Sequence, residues 1–482
     1  MTGIFMTGKW RFFSFLTFRF RCGFAALLGI VLLLCAASPA FGGASMQTIL
    51  TNGPGSNRVN IVVLSESYTT NDLAQFSLDA TNAVNALLSH PPYQEYRSYF
   101  NAFAIKVASS QSGSSHPASG IYHNTYFNST FDAISDYYIT IPAGSTGQGR
   151  VDALLQTFMP DCQLPILLVN DRTQGGSDGS DKTAIASTAA LSSEFLPAAP
   201  GMLTHEASHV LANLGDEYTT PYPGFPNTEE PNTTQQTNRA LIKWKAWIDT
   251  NTPVPTPKSV GDGVVGLFEG AHYHETNWYR PQLNCAMRSL GVPFCAVCSE
   301  ALVLAIYQQV RPVDGFSPAS TNLSVTNSQA ATFSLTLLQP SSHNLSVQWY
   351  TNNTTVAGAT NPVFALLPQS LGNGTNLVSA VVRDNTALVR TDPTNLLSQT
   401  VRWKLNVSIP QLRLDSARWL PGGKFAFRVV GNAPQGFSIW GSTNLAGWIP
   451  LSTNSLVAGQ FWYTNSSAAT FPQRFYRAVT PP

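Results

Sequence analysis

The sequence predicts an α/β (α+β) domain over residues 44–311 followed by two all-β modules, 312–408 and 409–482. Three observations point there. At about 150 residues per domain, a chain of 482 residues makes roughly three folded units. Up to Val310, short β-branched runs alternate with stretches of helical spacing. Beyond Arg311-Pro312 helical spacing nearly disappears, and short alternating strands separated by Asn-Gly and Pro-Gly turns replace it.

Composition narrows the function. An apolar fraction of 43% with 11% aromatic residues excludes an intrinsically disordered chain. Charged residues make up only 11% and the net charge is +1, so the chain lacks the basic footprint that nucleic acid binding needs.

Residues 1–43 read as a secretory signal. Lys9, Arg11, Arg19 and Arg21 are the only charges before position 45, and they precede the apolar run Phe24 to Ala37 and the small residues near Ala40 to Gly43. The run is shorter than the ~18 residues of a spanning helix, so export to the extracellular space, periplasm or cell surface is expected rather than anchoring. Leu34 occupies the site before Cys35 where lipoprotein signals carry a small residue, which argues against lipid attachment. Cys22 and Cys35 would leave with the signal. Cys162, Cys285, Cys295 and Cys298 then remain for an oxidising compartment. Cys295 and Cys298 form a CxxC without a second pair or paired histidines to complete a zinc site, so a disulfide involving Cys285 is the favoured expectation.

The elements of the first domain follow in order. NIVVLSE (60–66) and FNAFAIKVA (100–108) read as strands around a helix from Asp72 to Leu88, and LPILLV (164–169) as a third strand. TAIASTAA (183–190) reads as an edge strand to which an extended substrate adds by main-chain hydrogen bonds. GMLTHEASHVLANL (201–214) is a helix whose Met202, Leu203, Val210, Leu211 and Leu214 face a core. Residues 218–238, rich in Pro, Thr and Asn, read as loop. In the second module Val347 to Tyr350 is a strand presenting Trp349 to the core, and Val378 to Val389 a strand pair. FAFRVVG (425–431), FSIWGSTNLAGWIPL (437–451) and RFYRAV (474–479) supply the third.

Chemistry concentrates in His205-Glu206-Ala207-Ser208-His209. Histidines at i and i+4 stack on one helical face, close enough to share one ion, and Glu206 beside them is placed to take a proton from a water. Incidental histidines on a partly buried helix are the bland reading. A catalytic zinc needs a third protein ligand, and two carboxylates compete. Asp216 follows Asn213 and Gly215, which suit the left-handed turn that ends a helix and reverses the chain. Glu229 has a spacing that resembles thermolysin-like enzymes, but Pro221, Pro223, Pro226 and Pro231 oppose the second helix those enzymes use, so Asp216 is favoured. Glu217 is then a group that orients a ligand or pairs locally.

Further motifs follow in order: LGDEY (214–218), WKAW (244–247), FEGA (268–271), YRP (279–281), NCAMR (284–288) and PFCAVC (293–298). Together with HExxH they resemble the immunoglobulin A peptidase family, number sixty-four among metallopeptidases, over roughly Asn57 to Tyr307. The resemblance implies a metzincin-like zinc peptidase domain, with zinc ligands His205, His209 and Asp216, general base Glu206, and Met287 in a Met-turn beneath the metal. It implies a secreted Zn2+-dependent endopeptidase acting on protein or peptide substrates. The longer metzincin pattern HExxHxxGxxH is absent, because Ala212 and Gly215 hold the Gly and third-His positions. A lone methionine such as Met287 is otherwise an ordinary core residue.

Other residues carry open readings. His272 and His274 alternate as in a strand and face either the cleft or the core and surface; Tyr279 and Arg280 line a substrate path, or Arg280 pairs with Glu269 or Glu275. A rival from another class has the β-modules, with an Ig-like sandwich first, binding glycan or cell surface through Trp440, Trp448 and Trp462 while the first domain is inactive. Core positions for most of these indoles are favoured. A monomer is expected.

Overall fold

A computed structural model describes residues 43–132, 135–179, 182–194, 201–326, 329–409, 412–431 and 436–480. The predicted signal segment, with Cys22 and Cys35, lies outside the described residues but for its last position. Six strands form the first sheet: β1 (Ser45–Leu50), β2 (Val59–Glu66), β3 (Phe100–Lys106), β4 (Leu164–Val169), β5 (Gly176–Ser177) and β6 (Ala184–Ser187). Their order is β1-β3-β2-β4-β6-β5, with β2, β3, β4 and β6 parallel and the outer two antiparallel. Every position of β2 and β4 is buried, which is why Ile61–Leu64 of β2 and the whole of β4 read as apolar runs rather than alternating ones, while Asn60, Ser65 and Glu66 are buried with hydrogen-bond partners.

Among the described residues, five helices accompany the sheet: α1 (Leu73–Leu87), α2 (Gln148–Phe158), α3 (Leu191–Glu194), α4 (Met202–Ala212) and α5 (Ala296–Gln309). Val59, Ile61 and Val63 of β2 share one core with Phe76 and Val84 of α1, Leu203 and Ala207 of α4, and Leu302 and Ile306 of α5. A hairpin of β7 (Phe268–Ala271) and β8 (His274–Arg280) stands apart from the sheet. Among the described residues, no helix is long and apolar enough to cross a membrane.

The edge expected at residues 183–190 is not an edge. β5 pairs along the outer side of β6, with Gly176 opposite Ala186 and Ser177 opposite Ile185. Glycine suits this approach, since a Cβ on Gly176 would fall 3.0 Å from the Ile185 carbonyl oxygen and 2.8 Å from Met202 Cγ. The outer side of β6 at Ile185 and Ala186 is therefore already paired.

Residues 313–407 build two facing sheets from β9 (Val313–Ser317), β10 (Asn322–Val325), β11 (Ala331–Leu337), β12 (Ser346–Thr351), β13 (Thr354–Thr355), β14 (Val363–Leu366), β15 (Gly374–Arg383) and β16 (Ser398–Val407). One sheet runs β10-β16-β15-β12-β13 and the other β14-β11-β9, with Phe333, Trp349 and Trp403 in the shared core. The strand pair expected at 378–389 is one strand. β15 ends at Arg383, and beyond it Leu388, Val389, Leu396 and Leu397 leave the module to pack on the core of the first domain.

The last module has sheets β17-β18-β21 and β20-β19-β22, from β17 (Arg413–Leu420), β18 (Lys424–Val430), β19 (Gly436–Ser442), β20 (Ile449–Ser455), β21 (Gln460–Asn465) and β22 (Phe475–Val479). Its core is Phe427, Val429, Phe437, Ile439 and Leu456. The expectation that most of its tryptophans are core fails: Trp440 and Trp448 are half-buried, Trp462 is 42% exposed, and arginines lie over their rings. Phenylalanine and aliphatic residues close a core this small without an indole N–H to satisfy.

Buried polar groups lock the second module to the first domain. Asp384 is 1% exposed and accepts from the hydroxyls of Tyr96 (2.9 Å) and Tyr307 (2.6 Å) while His343 Nε2 lies 2.6 Å from its other oxygen. Arg58 grips Asp314 with its two terminal guanidinium nitrogens, at 2.7 and 2.6 Å. Replacing Asp384 by Ala removes the acceptor shared by Tyr96, Tyr307, His343 and the Thr386 N–H and is expected to cost about 3 kcal/mol, lowering the urea midpoint. An unchanged midpoint would show that this carboxylate does not join the two units.

Candidate metal centre

α4 begins after Gly201 and ends where Asn213 takes a left-handed conformation at φ 51°, its N–H donating to the His209 carbonyl at 2.8 Å. Asn213 alone supplies this turn, and Gly215 serves another need. A Cβ on Gly215 would sit 2.5 Å from the Glu230 carboxylate, and its N–H and C=O are both bonded by the Asn232 amide, at 2.7 and 2.8 Å. The reversed chain brings Asp216 back over the helix.

His205 and His209 are 3% and 6% exposed, with Nε2 atoms 3.1 Å apart. Each ring commits its other nitrogen to a main-chain carbonyl: His205 Nδ1 donates to Ala286 O at 2.9 Å and His209 Nδ1 to Leu214 O at 2.5 Å. A carbonyl only accepts, so the proton of each neutral imidazole sits on Nδ1 and the lone pair on Nε2. Asp216 Oδ1 lies 3.0 Å from His205 Nε2 and 3.5 Å from His209 Nε2.

These three atoms suit one divalent ion. Tetrahedral zinc with bonds of about 2.0–2.1 Å separates its ligand atoms by about 3.3 Å, close to the 3.0, 3.1 and 3.5 Å found here. A Glu206 oxygen lies within 4.8 Å of a nitrogen from each ring, a span that a bridging water can close. All four side chains line one cleft of about 510 Å³, which Tyr138, Tyr222 and Phe225 also border.

The electrostatics match a cation site. Burial disfavours charge on His209, but the Asp216 and Glu206 carboxylates outweigh it and push its pKa up to about 10, so without an ion its Nε2 carries a proton that a bound cation would displace, leaving the neutral Nδ1–H form. Asp216 is likewise opposed by burial and held well below the usual carboxylate range by the two histidines. Burial raises Glu206 to about 7, against the pull of the same imidazoles.

Other residues fall differently. Glu229 is taken up by Thr234 Oγ1 (2.8 Å), the Gln235 N–H (2.7 Å) and Lys243 Nζ (3.1 Å), so Asp216 and not Glu229 stands beside the imidazoles. His272 and His274 do not alternate on a strand, because His272 and Tyr273 form the hairpin turn at φ 54° and 59°. His272 is fully buried, stacked on Trp278 and bonded to Glu230 at 3.1 Å, whereas His274 is exposed. The Arg280 guanidinium bonds the carbonyls of Glu269, Gly270 and Leu283 rather than either carboxylate. Met287 is fully buried, and its carbonyl accepts the Glu217 N–H at 2.9 Å.

Two tyrosines escaped the sequence reading. Tyr273 donates its hydroxyl to Asp216 Oδ2, and Tyr218 Oη lies 3.4 Å from His205 Nε2. The closing Tyr of LGDEY was a signal for Tyr218. Tyr273 had none, since only the hairpin carries it to Asp216.

The chain is a metallopeptidase by family comparison: the profile described as IgA Peptidase M64 matches residues 48–262 and 258–306 of the 482. It belongs to the IgA Peptidase M64 family, which implies a metal ion and a protein or peptide substrate. No curated protein matches the chain. Among solved structures, a chain from a chaperone-tip adhesin complex of CFA/I fimbriae biogenesis is 10% identical, with 35% of this chain and 92% of that one covered at a TM-score of 0.14. Bacteroides uniformis beta-glucuronidase 3 is 9% identical over 43% of this chain and 29% of that one, with a TM-score of 0.14. The N-terminal domains of the bacteriophage RB49 outer capsid protein Hoc are 9% identical over 31% and 55%, with a TM-score of 0.15.

Tyr273→Phe removes the donor to Asp216 Oδ2 and should weaken zinc binding about 10-fold without unfolding the protein, as read by competition with a chelator. Unchanged affinity would show that this hydroxyl does not orient the carboxylate.

Proposed function

We propose that the chain is a secreted zinc endopeptidase in which His205, His209 and Asp216 hold the ion and Glu206 is the general base. The observation that carries this reading is the convergence of Asp216 Oδ1 on both Nε2 atoms, at 3.0 and 3.5 Å. The chemistry a bound zinc ion supplies is Lewis acidity toward a water and toward the oxygen of the scissile carbonyl. Glu206, beside the ligands and open to the cleft, accepts the proton of the attacking water and delivers it to the leaving amine. Burial raises the Glu206 pKa, the direction that lets its carboxyl hold a proton before passing it to the amine. Burial and the nearby carboxylates keep Tyr218 protonated, so its hydroxyl is a donor for oxyanion charge that develops beside His205.

The tight turn in which Arg288 N–H bonds Cys285 O at 2.8 Å, with Met287 buried inside it, is read as the Met-turn of a metzincin-like domain. The first β-module is read as Ig-like. Substrate is assigned to the aromatic cleft, because β5 covers the edge of β6. The glycan-binding alternative has less support, since Arg477 and Arg418 cover a face of Trp448 and Trp462, at 4.3 and 4.5 Å.

Glu206→Gln should retain zinc and lose at least about 100-fold in kcat on a casein-like substrate; wild-type turnover would rule out its role as base. Asp216→Ala should release zinc to a chelator that wild type resists, while Glu229→Ala should not. The opposite pattern would transfer the ligand role to Glu229.

A further inference from the structure

We propose that Glu217, Cys285, Cys295 and Cys298 form a second, structural metal site that takes zinc. The four side chains are buried, and one ligand atom of each lies within 4.8 Å of the other three. The expected disulfide is not formed: Cys285, Cys295 and Cys298 are all free. Cys285 Sγ and Cys298 Sγ are 3.6 Å apart, far beyond the ~2.05 Å of a sulfur–sulfur bond. Thiolates at about 2.3 Å from one tetrahedral zinc stand about 3.8 Å apart, and that is the spacing this pair approaches.

Two further observations point to a cation. Cys295 N–H donates to Cys285 Sγ at 3.2 Å and Cys298 N–H to Cys295 Sγ at 3.4 Å, the main-chain donors that stabilise sulfur as thiolate. Glu217 is fully buried, yet only its Oε1 has a strong donor, Asn232 Nδ2 at 3.0 Å; Oε2 has no hydrogen-bond partner. An orphaned carboxylate oxygen beside three thiols is costly unless a metal ion answers it. Soft sulfur ligands with one carboxylate favour zinc over magnesium or calcium. Binding displaces the thiol protons to solvent.

No open position toward solvent is available among four buried ligands, so the site is structural. Its place in the chain gives it a positioning effect. Glu217 directly follows Asp216, and Cys285 directly precedes Ala286, whose carbonyl orients His205. The second ion therefore ties the aspartate strand, the Met287 turn and the start of α5 to one another. The inference does not depend on the proposed peptidase mechanism.

The test uses the full chain. Metal analysis of purified protein should give about two zinc per chain, and cobalt exchange should produce an intense sulfur-to-cobalt charge-transfer absorption. That absorption should persist with about one metal lost in a His205→Ala, His209→Ala variant, and should vanish with about one metal lost in Cys295→Ser, Cys298→Ser. A cobalt-loaded wild type without the absorption overturns the proposal, even if the cysteine variant does not fold. So does peptide mapping that finds two of these three cysteines joined. Loss of zinc stoichiometry at the histidines with the sulfur absorption intact would support this site whatever becomes of the peptidase reading.

Discussion

Everything at the candidate centre depends on how two imidazole protons are held. A neutral histidine has one donor and one acceptor nitrogen, and here main-chain carbonyls of Leu214 and Ala286 take both donors. The acceptor nitrogens are thereby turned toward one another and toward Asp216. Helical periodicity sets the spacing of the rings, but the carbonyls set their tautomer. One carbonyl lies just past the helix; the other arrives from a loop far along the chain.

That loop dependence explains the surrounding architecture. The Asp216 to Tyr218 segment is held from two sides: its carbonyls at Asp216 and Tyr218 accept from His272 and Tyr273 of the hairpin turn, at 2.9 and 2.8 Å, and the Glu217 N–H donates to Met287 O. The aspartate is thus carried on a braced strand-like segment rather than a free loop, which limits how far its carboxylate can wander from the imidazoles. The bracing extends to α5, whose N-cap is Cys295, whose first turn carries Cys298 and whose Glu300 accepts the N–H groups of Arg390 and Thr391 from the second module. The module's position on this helix makes it a support for the first domain as well as an appendage to it.

Local features of this arrangement were legible in the sequence. The i, i+4 histidines, the helix stop at Asn213, and proline crowding around Glu229 are all consequences of backbone preferences within a few residues. Non-local contacts were not legible. Alternation at His272 and His274 looked like a strand because nothing nearby announces that His272 and Tyr273 adopt left-handed conformations in a turn. A two-residue strand such as β5 leaves too short a pattern to read. The cysteine cluster was misread for a related reason: its fourth member is a glutamate that folding, and not spacing, brings to the CxxC. Indoles in the last module looked like core because hydrophobicity does not reveal which aromatics an arginine will cover.

The most direct measurement is anomalous diffraction at the zinc absorption edge from crystals of the full chain. A peak about 2 Å from His205 Nε2, His209 Nε2 and Asp216 Oδ1 is the predicted result. A map with no peak between those atoms, or with the ion held by one imidazole and a carboxylate other than Asp216, would contradict the account.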